Sequence, residues 1–381
     1  MPNWFSSAPA SDAVVITGAS SGIGAACALA LDKLGYRVFA GVRNPADGER
    51  LQQQAGPRLM PIRLDVTDTA SIAAASHTVT AMVGDRGLAG LVNNAGIGVA
   101  GPIELLPLAD WRRQFDVNVF GLIAVTQTFL PLIRKGRGRI INMGSIAGRA
   151  SMPFMAPYAA SKHALEAITD ALRLELQPWG IRVSLIAPGA IATPIWGKTR
   201  KEVDTWDAAW SRELKSMYQE GFTRIKEAAT AAGEQAQPAS TVAHAVAHAL
   251  RSRWPKTRYL VGSDAAIRAY LALLLPDRLN DWIITRIVKL PPRRSRGSTT
   301  SRFHHINHLP LSVEVNRDRF IGIQLFNRRL QQRSHGKGLN VIDLHPEAHP
   351  PVADGDKRTL QATLRRRQQR SDPELTGFSL R

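Results

Sequence analysis

The sequence predicts an α/β fold: a doubly wound, mostly parallel sheet of the Rossmann type, with about seven strands and helices on both faces. The first regular pattern is an apolar strand at residues 13–17, which runs into a glycine-rich turn and then an Ala-rich helix pattern. Strand and helix patterns continue to alternate, which is typical of parallel strands joined by helices. Polar and glycine residues recur where the predicted strands end, and ligands bind at that edge in such folds.

The predicted elements follow one another in a regular order. Seven short apolar runs have the character of buried strands, and helix patterns lie between them. The predicted strands are residues 13–17, 37–41, 59–64, 90–92, 139–142, 182–186 and 259–261, and the main predicted helices are residues 25–34, 71–83, 111–134 and 156–177.

The turn after the first strand has the residue types that a phosphate-binding loop needs. Gly18, Gly22 and Gly24 let backbone approach a pyrophosphate, and the start of the following helix offers amide donors and the positive end of its dipole. The spacing G-x-x-x-G-x-G differs from the common G-x-G-x-x-G fingerprint. The strand before the turn and the helix after it nevertheless indicate a dinucleotide site.

Tyr158 and Lys162 are four residues apart in the predicted helix 156–177, so their side chains lie on one face of it. Free Tyr titrates near ~10 and free Lys near ~10.4, and a fixed cation beside a phenol favours the phenolate. The pair therefore predicts a group that exchanges a proton with a substrate oxygen. The spacing Y-x-x-x-K is also common on surface helices, so its meaning depends on the rest of the chain.

Composition favours an intracellular globular protein. The chain has 381 residues, of which 44% are hydrophobic, so it can bury a sizeable core. Its one cysteine, Cys27, allows no intramolecular disulfide and no cysteine metal cluster, which fits a reducing compartment. Residues 1–11 lack a signal-peptide pattern, and no run reaches the ~18 apolar residues of a spanning helix. We therefore expect a cytoplasmic protein without a transmembrane segment.

The formal charge of +18 is unevenly distributed. Residues 291–381 carry 17 Lys or Arg against 8 Asp or Glu, so half of the excess lies in the last quarter of the chain. This skew, together with a linker-like start, indicates a basic tail of low order rather than a basic fold. We predict an N-terminal extension at residues 1–11, a dinucleotide-binding catalytic domain at residues 12–290 and the tail at residues 291–381.

The tail contains two clusters that invite a functional interpretation. His304, His305 and His308 have no acidic or cysteine partner nearby, so we expect no metal site there. The basic run at residues 365–367 is interpreted as part of a solvated tail, and nucleic-acid binding by it is not expected.

Two segments outside the strand and helix alternation have more than one interpretation. Trp206, Trp210, Leu214 and Met217 form an apolar stripe at helical spacing, which is either a packed helix or a mobile lid over an apolar substrate. Residues 265–290, rich in Leu, Ile and Trp and broken by a proline, predict two short packed helices, with a membrane-surface role as the alternative.

A set of motifs follows one after another between residue 17 and residue 193. They are Thr17-Gly-Ala-Ser-Ser-Gly-Ile-Gly24, Asn93-Asn-Ala-Gly96, Asn118 within Asp-Val-Asn-Val-Phe-Gly121, Ser145, Tyr158-x-x-x-Lys162, and Pro188-Gly189 with Thr193. In this order and spacing the chain resembles the short-chain dehydrogenases/reductases. The resemblance covers residues 12 to about 290, and the tail falls outside it.

The resemblance implies a catalytic set of four residues. Tyr158 is the implied general acid/base, Lys162 lowers its pKa and binds the nicotinamide ribose, Ser145 hydrogen-bonds the substrate oxygen, and Asn118 holds a water by bending its helix. The cofactor exchanges the hydride, while the protein supplies position and a proton, and no metal is needed. The implied cofactor contacts are Gly18, Ser20, Ser21, Gly22, Ile23, Gly24, Arg43, Asp65, Val66, Asn93, Ala95, Gly96, Tyr158, Lys162, Pro188, Gly189, Ile191 and Thr193.

Residues 83–96 and 131–139 are similar to the retinol and 17β-hydroxysteroid dehydrogenase branch, whose members act on bulky apolar alcohols and ketones. The chain departs from that branch because we see no N-terminal membrane anchor, and because Met143-Gly144 precedes Ser145 where the branch often has another Ser. The resemblance implies a small-molecule alcohol or carbonyl substrate and a homodimer or homotetramer. The alternative is a dinucleotide-binding regulatory or interaction protein that uses its basic tail, but the four catalytic groups favour an enzyme.

The end of the second predicted strand indicates the preferred cofactor. An acidic residue there binds the adenosine ribose in NAD-dependent folds, whereas an Arg accommodates the 2′-phosphate of NADP. Val42 stands at the acidic position, Arg43 follows it, and Asp47, the nearest acid, lies beyond Pro45. We therefore predict a preference for NADP(H) over NAD(H), with Asp65 near the adenine by resemblance.

Overall fold

The computed structural model describes residues 11–195, residue 197 and residues 211–290. Its centre is a sheet of seven strands in the order β3-β2-β1-β4-β5-β6-β7, and every neighbouring pair is parallel. The predicted fold class is therefore confirmed. The strands are β1 (Ala13–Ile16), β2 (Arg37–Val42), β3 (Leu59–Arg63), β4 (Gly90–Asn93), β5 (Arg139–Met143), β6 (Arg182–Pro188) and β7 (Arg258–Val261).

Helices cover both faces of the sheet. The described helices are α1 (Gly22–Lys33), α2 (Pro45–Gln52), α3 (Thr69–Val83), α4 (Leu108–Phe115), α5 (Gly121–Gly136), α6 (Ala156–Glu175), α7 (Arg212–Glu234), α8 (Ala239–Arg251), α9 (Ser263–Leu274) and α10 (Asp277–Ile287).

Two apolar clusters, one on each face of the sheet, form the core. On one face, α1 and α8 pack together through side chains such as Leu31 and Val246. On the other face, α3, α5 and the end of α6 contribute Ile72, Phe129 and Leu176. The strands are buried on both sides because helices cover both, which explains their nearly continuous apolar sequences.

Chain order reverses between β1 and β4, which are neighbours in the sheet although β2 and β3 lie between them in sequence. The connections after these two strands diverge to opposite faces and leave a crevice at the carboxyl edge. The turn that follows β1 contains Gly18 to Gly24, and the segment that follows β4 contains Asn94 to Gly96. The fold therefore brings the two glycine-containing motifs together.

The predicted helix 111–134 is not a single regular helix. A π-helical turn, Asp116–Phe120, separates α4 from α5. Within that turn, the side chain of Asn118 bonds the backbone of Ile97 in both directions, and Gly121 follows beside Val66. These tertiary contacts fix the extra residue of the wide turn, which a sequence pattern with helical spacing does not reveal.

The stretch Leu108–Gly136, which contains α4 and α5, has the length and apolar composition of a membrane span. Half of its most apolar window is buried inside the fold, and its Val125, Phe129 and Ile133 are fully buried in the core. Packing against the sheet therefore accounts for the apolar character of this stretch. It is the one candidate of this kind among the helices in the described ranges.

Several predictions concern residues outside the described part of the chain. They are the extension at residues 1–10, Trp206 and Trp210 of the apolar stripe, the tail at residues 291–381, and the tail histidines. Met217, from the same stripe, lies on α7 and is 37% exposed. The packed-helix and lid interpretations both stay open, and the predicted domain boundaries stay predictions.

Candidate active site

A cleft of about 330 Å³ opens at the carboxyl edge of the sheet. Residues that follow β1, β2, β3, β4, β5 and β6 line it, as expected for a ligand site in a fold of this class. The lining residues are Gly18, Ser20, Ser21, Gly22, Ile23, Gly24, Arg43, Leu64, Asp65, Val66, Asn94, Ala95, Gly96, Ile97, Gly98, Arg113, Val117, Met143, Gly144, Ser145, Tyr158, Lys162, Pro188, Gly189, Ile191, Thr193, Pro194 and Ile195.

The glycines of the β1–α1 turn leave room that side chains would fill. Gly18 and Gly22 have φ angles of +64° and +57°, which L side chains rarely adopt. A Cβ on Gly24 would lie 2.2 Å from the carbonyl oxygen of Gly18 and 2.5 Å from Nδ2 of Asn94. Only backbone can therefore occupy this position, and the start of α1 faces the cleft with its amide groups. This turn fits the pyrophosphate of a dinucleotide.

Hydrogen bonds between the β1 and β4 edges hold this turn in place. Oγ1 of Thr17 accepts from the backbone amides of Asn94 and Ala95, each at 2.9 Å. Nδ2 of Asn94 donates to the carbonyl oxygens of Thr17 and Gly18 at 2.9 and 3.0 Å. The glycine turn and the Asn94–Gly96 segment therefore behave as one rigid unit.

The proposed catalytic side chains lie at the other end of the cleft, with Tyr158 and Lys162 on α6 and Ser145 just after β5. Tyr158 and Lys162 are 8% and 5% exposed, on adjacent turns of α6. Nζ of Lys162 donates to the carbonyl oxygen of Met143 at 2.8 Å and lies 5.7 Å from the centre of the Tyr158 ring. The side chains of Ser145 and Tyr158 are hydrogen-bonded to each other. The structure thus brings the predicted phenol, ammonium and hydroxyl together.

Burial changes the acidity of this pair. It raises the pKa of Tyr158, and the hydrogen bond with Ser145 opposes that change. It lowers the pKa of Lys162 from 10.5 to about 8. The structure does not show the lowered Tyr158 pKa that the sequence predicted, because loss of solvation is the larger influence on a phenolate in this environment.

Asn118, the fourth predicted catalytic residue, is 1% exposed and does not line the cleft. Its Oδ1 accepts from the amide of Ile97 at 2.9 Å, and its Nδ2 donates to the carbonyl oxygen of Ile97 and to Oγ of Ser161, each at 3.1 Å. Oγ of Ser161 in turn donates to the carbonyl oxygen of Tyr158 at 2.7 Å. Asn118 therefore ties the β4 edge to the helix turn that carries the phenol.

The structure does not place Asn93 in the cleft, although it was predicted to contact the cofactor. Asn93 is the last residue of β4 and is 4% exposed. Its Nδ2 donates to Oγ1 of Thr126 and Oδ1 of Asn142, at 2.9 and 3.0 Å, on the side of the sheet covered by α5. Its neighbour Asn94 lines the cleft instead, since successive side chains of a strand point in opposite directions.

Arg43 and Asp65 lie at the end of the cleft formed by β2 and β3. Arg43 is exposed and lines the cleft directly after β2. Oδ1 of Asp65 accepts from the amide and the hydroxyl of Thr67, so this carboxylate is fixed in the turn after β3. Asp47 lies in the first turn of α2 and forms an ion pair with Arg50.

With the exceptions of Asn93 and Asn118, every predicted catalytic or cofactor residue lines the cleft. Several lining residues were not identified from the sequence, for two different reasons. Ile97 directly follows the recognised motif Asn93-Asn-Ala-Gly96, so its extension by one residue would have found it, whereas Asn94 lies inside that motif and was passed over for Asn93. Arg113 and Val117 lie on α4 and the π-helical turn, and only the tertiary fold brings those residues to the cleft. No group of metal-ligating side chains occurs within residues 11–195 or 211–290.

The buried Lys162 predicts a specific dependence of stability on pH. Its pKa is about 8 in the folded protein and 10.5 for the free side chain. The unfolded chain therefore binds more protons between these values, so the free energy of unfolding rises with pH there. A Lys162→Met variant lacks this contribution. We expect the stability of the native protein to gain about 3 kcal/mol relative to that variant as the pH rises from 8 to 10.5.

Denaturant titrations of both proteins at several pH values measure this difference. Replacement of Lys33, an exposed lysine in the last turn of α1, by Met is the matched control. If the difference in free energy of unfolding between the native protein and the Lys162→Met variant stayed constant from pH 8 to pH 10.5, Lys162 would not be buried as described.

Comparisons with known proteins agree with this geometry. A family model described as short chain dehydrogenase matches residues 12–204. The retinol dehydrogenase 5 of Mus musculus is 39% identical over 293 residues, which cover 75% of this chain and 92% of that protein. The 17-beta-hydroxysteroid dehydrogenase type 6 of Bos taurus is 40% identical over 278 residues, which cover 72% of this chain and 87% of that protein.

Solved structures are also similar to this chain. A short chain dehydrogenase from Burkholderia cenocepacia in complex with NADP matches with a TM-score of 0.54 and 25% identity, covering 73% of this chain and 98% of that one. A short chain dehydrogenase/reductase from Burkholderia phymatum in complex with NAD matches with a TM-score of 0.59 and 26% identity. The match covers 68% of this chain and 92% of that one. These structures contain different cofactors, so they do not decide which one this chain prefers.

Proposed function

This chain belongs to the short-chain dehydrogenase family, in which its relatives include retinol and hydroxysteroid dehydrogenases, and from that membership we propose its specific reaction. It is an oxidoreductase of the alcohol type. We propose that it interconverts a bulky apolar alcohol and the corresponding ketone or aldehyde with NADP(H). The observation that carries this proposal is the meeting of Tyr158, Ser145 and Lys162 at one end of a cleft whose other end has the glycine turn and Arg43.

The residues present fit a nicotinamide dinucleotide. The turn with Gly18 and Gly24 would hold the pyrophosphate, Asp65 and Val66 would lie beside the adenine, and Lys162, next to Tyr158, would bind the nicotinamide ribose. The bound cofactor supplies the hydride donor or acceptor.

The protein handles the proton and the substrate oxygen. In reduction the Tyr158 hydroxyl donates a proton to the substrate oxygen, and in oxidation the Tyr158 phenolate accepts one from it, while the Ser145 hydroxyl hydrogen-bonds the same oxygen. The ammonium of Lys162 favours the phenolate during the transfer. Asn118 holds the turn of α6 that carries Tyr158, through Ser161.

An apolar substrate is supported by the side chains beside the start of α6. Phe154 packs edge-on against Phe222 of α7 with ring centroids 5.5 Å apart, and Ala100 and Met155 belong to the same cluster. Ala100 follows β4, Phe154 and Met155 follow β5, and the latter connection also carries Ser145. The names of the relatives, retinol and hydroxysteroid dehydrogenases, point to the same substrate class.

The regulatory alternative depends on the basic tail, which lies outside the described residues, and family membership favours the enzyme. The predicted homodimer or homotetramer and the predicted cytoplasmic location stay predictions.

The preference for NADP(H) rests on Arg43. This exposed guanidinium lines the cleft at the adenosine end, and no acid occupies the end of β2, since Val42 is 3% exposed and packs in the core. The acid nearest to Arg43 in sequence, Asp47, is paired with Arg50. A phosphate beside Arg43 therefore gains a charge-assisted hydrogen bond without facing the Asp47 carboxylate unpaired.

We expect Arg43→Ala to lower kcat/KM with NADP(H) by roughly 10–100-fold, because one hydrogen bond to a charged group contributes about that much. The kcat/KM with NAD(H) should change little. Steady-state rates with both cofactors and a panel of retinoids and hydroxysteroids measure this. Arg63→Ala, an exposed arginine at the end of β3 outside the cleft, is the control. Equal or better efficiency with NAD(H) in the unmodified protein would contradict the cofactor preference.

A further inference from the structure

One wall of the cleft is the segment that follows β6, residues 189–195, which we call the β6 wall. Just before it, the carbonyl oxygen of Ile186 in β6 accepts from the amide of Gly144, which directly follows β5, at 2.7 Å. Further along, Thr193 packs beside the glycine turn, since a Cβ on Gly22 would lie 3.2 Å from the Cβ of Thr193. The β6 wall therefore runs from the catalytic end of the cleft to the site of the pyrophosphate. The nicotinamide half of a dinucleotide would lie along it, because that half joins the pyrophosphate to the reacting carbon.

The carboxylate of Asp264, in the first turn of α9, holds the β6 wall. Its Oδ2 accepts from the backbone amide of Ala190 at 2.9 Å. A Cβ on Gly189 would lie 2.1 Å from the same oxygen, and a Cβ on Gly262 would lie 2.4 Å from Oδ1. The carboxylate therefore fills a space between two stretches of backbone, which come this close to it only because glycine has no side chain.

An acidic residue in the first turn of a helix also stabilises that helix through its dipole. The hydrogen bond that Asp264 accepts, however, comes from the β6 wall and not from α9. The carbonyl oxygen of Ala190 accepts from the amide of Gln237 at 3.0 Å, so both backbone polar groups of Ala190 are paired. Its amide bonds a charged acceptor, which is the stronger kind of hydrogen bond. The wall is thus fixed at the residue next to Gly189.

The same helix also holds the connection that follows β5. A side-chain nitrogen of Arg268, one turn after Asp264, donates to the carbonyl oxygen of Ala150 at 3.2 Å. Ile146 of that connection packs against the buried alanines of α9. The connection contains Ser145, so α9 fixes the β6 wall relative to a side chain that the proposed reaction uses.

We propose that Asp264 is a positioning residue for the nicotinamide half of the cofactor, a role that rests on the proposed function. Asp264 does not line the cleft, so it acts through the β6 wall and not by touching the cofactor. The wall in turn would determine where the nicotinamide ring lies relative to Tyr158. The adenosine half would bind at the other end of the cleft, near Arg43 and Asp65, and does not depend on Asp264.

Asp264→Ala removes the carboxylate and frees the β6 wall. We expect about tenfold weaker binding of NADPH or NADH, whichever the native protein binds more tightly, because a hydrogen bond to a charged group is lost. The kcat should fall by roughly 10–100-fold, since a displacement of about 1 Å in such a site costs about 10²-fold. Affinity for ADP and adenosine 2′,5′-bisphosphate, which contain only the adenosine half, should not change. Fluorescence and calorimetric titrations measure these affinities.

Two further variants separate positioning from helix stabilisation. Asp264→Asn keeps the shape of the side chain and an acceptor for the Ala190 amide, so it should retain most of the affinity for the whole dinucleotide. Asp277→Ala is the matched control, because it removes an exposed acid from the first turn of α10. It should leave every affinity unchanged. If Asp264 acted only through the helix dipole, its Ala and Asn variants would behave alike, which would overturn the proposal.

Unfolding measurements test the contact itself without any cofactor. The three atoms nearest to a Cβ on Gly189 all belong to the carboxyl group of Asp264. Gly189→Ala should therefore lower the denaturation midpoint of the native protein, and lower it much less in the Asp264→Ala background, where the space is free. These curves also show that each variant folds. Should Asp264→Ala not fold, Gly189→Ala alone, which pushes the wall from the carboxylate, is expected to weaken binding of the whole dinucleotide and not of ADP.

The possible failures are distinguishable. Native affinity for the dinucleotide in Asp264→Ala, or an equal loss for the dinucleotide and for ADP, would overturn the positioning role and leave the proposed function intact. Equal effects of Gly189→Ala in the two backgrounds would overturn it as well. A native protein that bound neither NADPH nor NADH would contradict the proposed function, and the positioning role with it.

Discussion

Replacing Tyr158 by Phe is expected to lower kcat at least about 10³-fold, within the range that a positioned proton donor contributes. The phenol carries the proton in the proposed reaction, and neither Ser145 nor Lys162 lies where the Tyr158 hydroxyl does. The Phe ring keeps the packing of a residue that is 8% exposed. Binding of NADP(H) is therefore expected to stay nearly unchanged, and stability should fall by only about 1 kcal/mol for the lost hydrogen bond.

Steady-state kinetics and a fluorescence titration with NADPH measure these two effects. Tyr259→Phe is a close control, because Tyr259 is also 8% exposed and its hydroxyl bonds Nδ1 of His248 at 2.8 Å, on β7 and outside the cleft. That variant should keep its activity. If Tyr158→Phe retained more than about a tenth of the native rate, the assignment of the acid/base residue would be wrong.

Replacing Gly24 by Ala is expected to damage both the fold and cofactor binding. The new Cβ would lie 2.2 Å from the carbonyl oxygen of Gly18 and 2.5 Å from Nδ2 of Asn94, and neither atom can move without breaking the bonds that hold the turn. We expect a loss of about 1–3 kcal/mol of stability from overpacking. A displacement of about 1 Å in a site of this kind costs about 10²-fold in turnover.

Denaturant unfolding and NADPH titration measure the effect of Gly24→Ala. Gly233 lies within α7, and no atom lies within 4 Å of the place that a Cβ would take there. Gly233→Ala is therefore the matched control and should stabilise the helix slightly. Native affinity for NADPH in the Gly24→Ala variant would show that the β1–α1 turn does not form the phosphate site.

The strands and the glycine turn could be predicted from sequence because they depend on local information. Apolar runs such as β1 are buried on both faces, and Gly18 and Gly22 adopt φ angles that few other residues allow. The pairing of Tyr158 with Lys162 likewise follows from helical spacing alone. These features need no knowledge of which segments meet in the folded chain.

Other features depend on tertiary contacts that no local pattern contains. The motif that begins at Asn93 did not reveal which asparagine faces the cleft, since that depends on how β4 is oriented in the sheet. The π-helical turn at Asn118 is set by its bonds to Ile97. The raised pKa of Tyr158 comes from burial under neighbouring segments. The outward direction of the large residues of α9 follows from the burial of Ala265 and Ala269.

The central claim is that this chain transfers a hydride between a nicotinamide and the carbon of an apolar alcohol. Isotope transfer tests it most directly. The protein is incubated with NADPH deuterated at the transferable position and with retinal or a ketosteroid, and the product is examined by mass spectrometry. We predict an alcohol that carries deuterium on its carbinol carbon, and none with Tyr158→Phe. An unlabelled alcohol, or no alcohol from any member of a broad panel of apolar carbonyl compounds with either cofactor, would contradict the account.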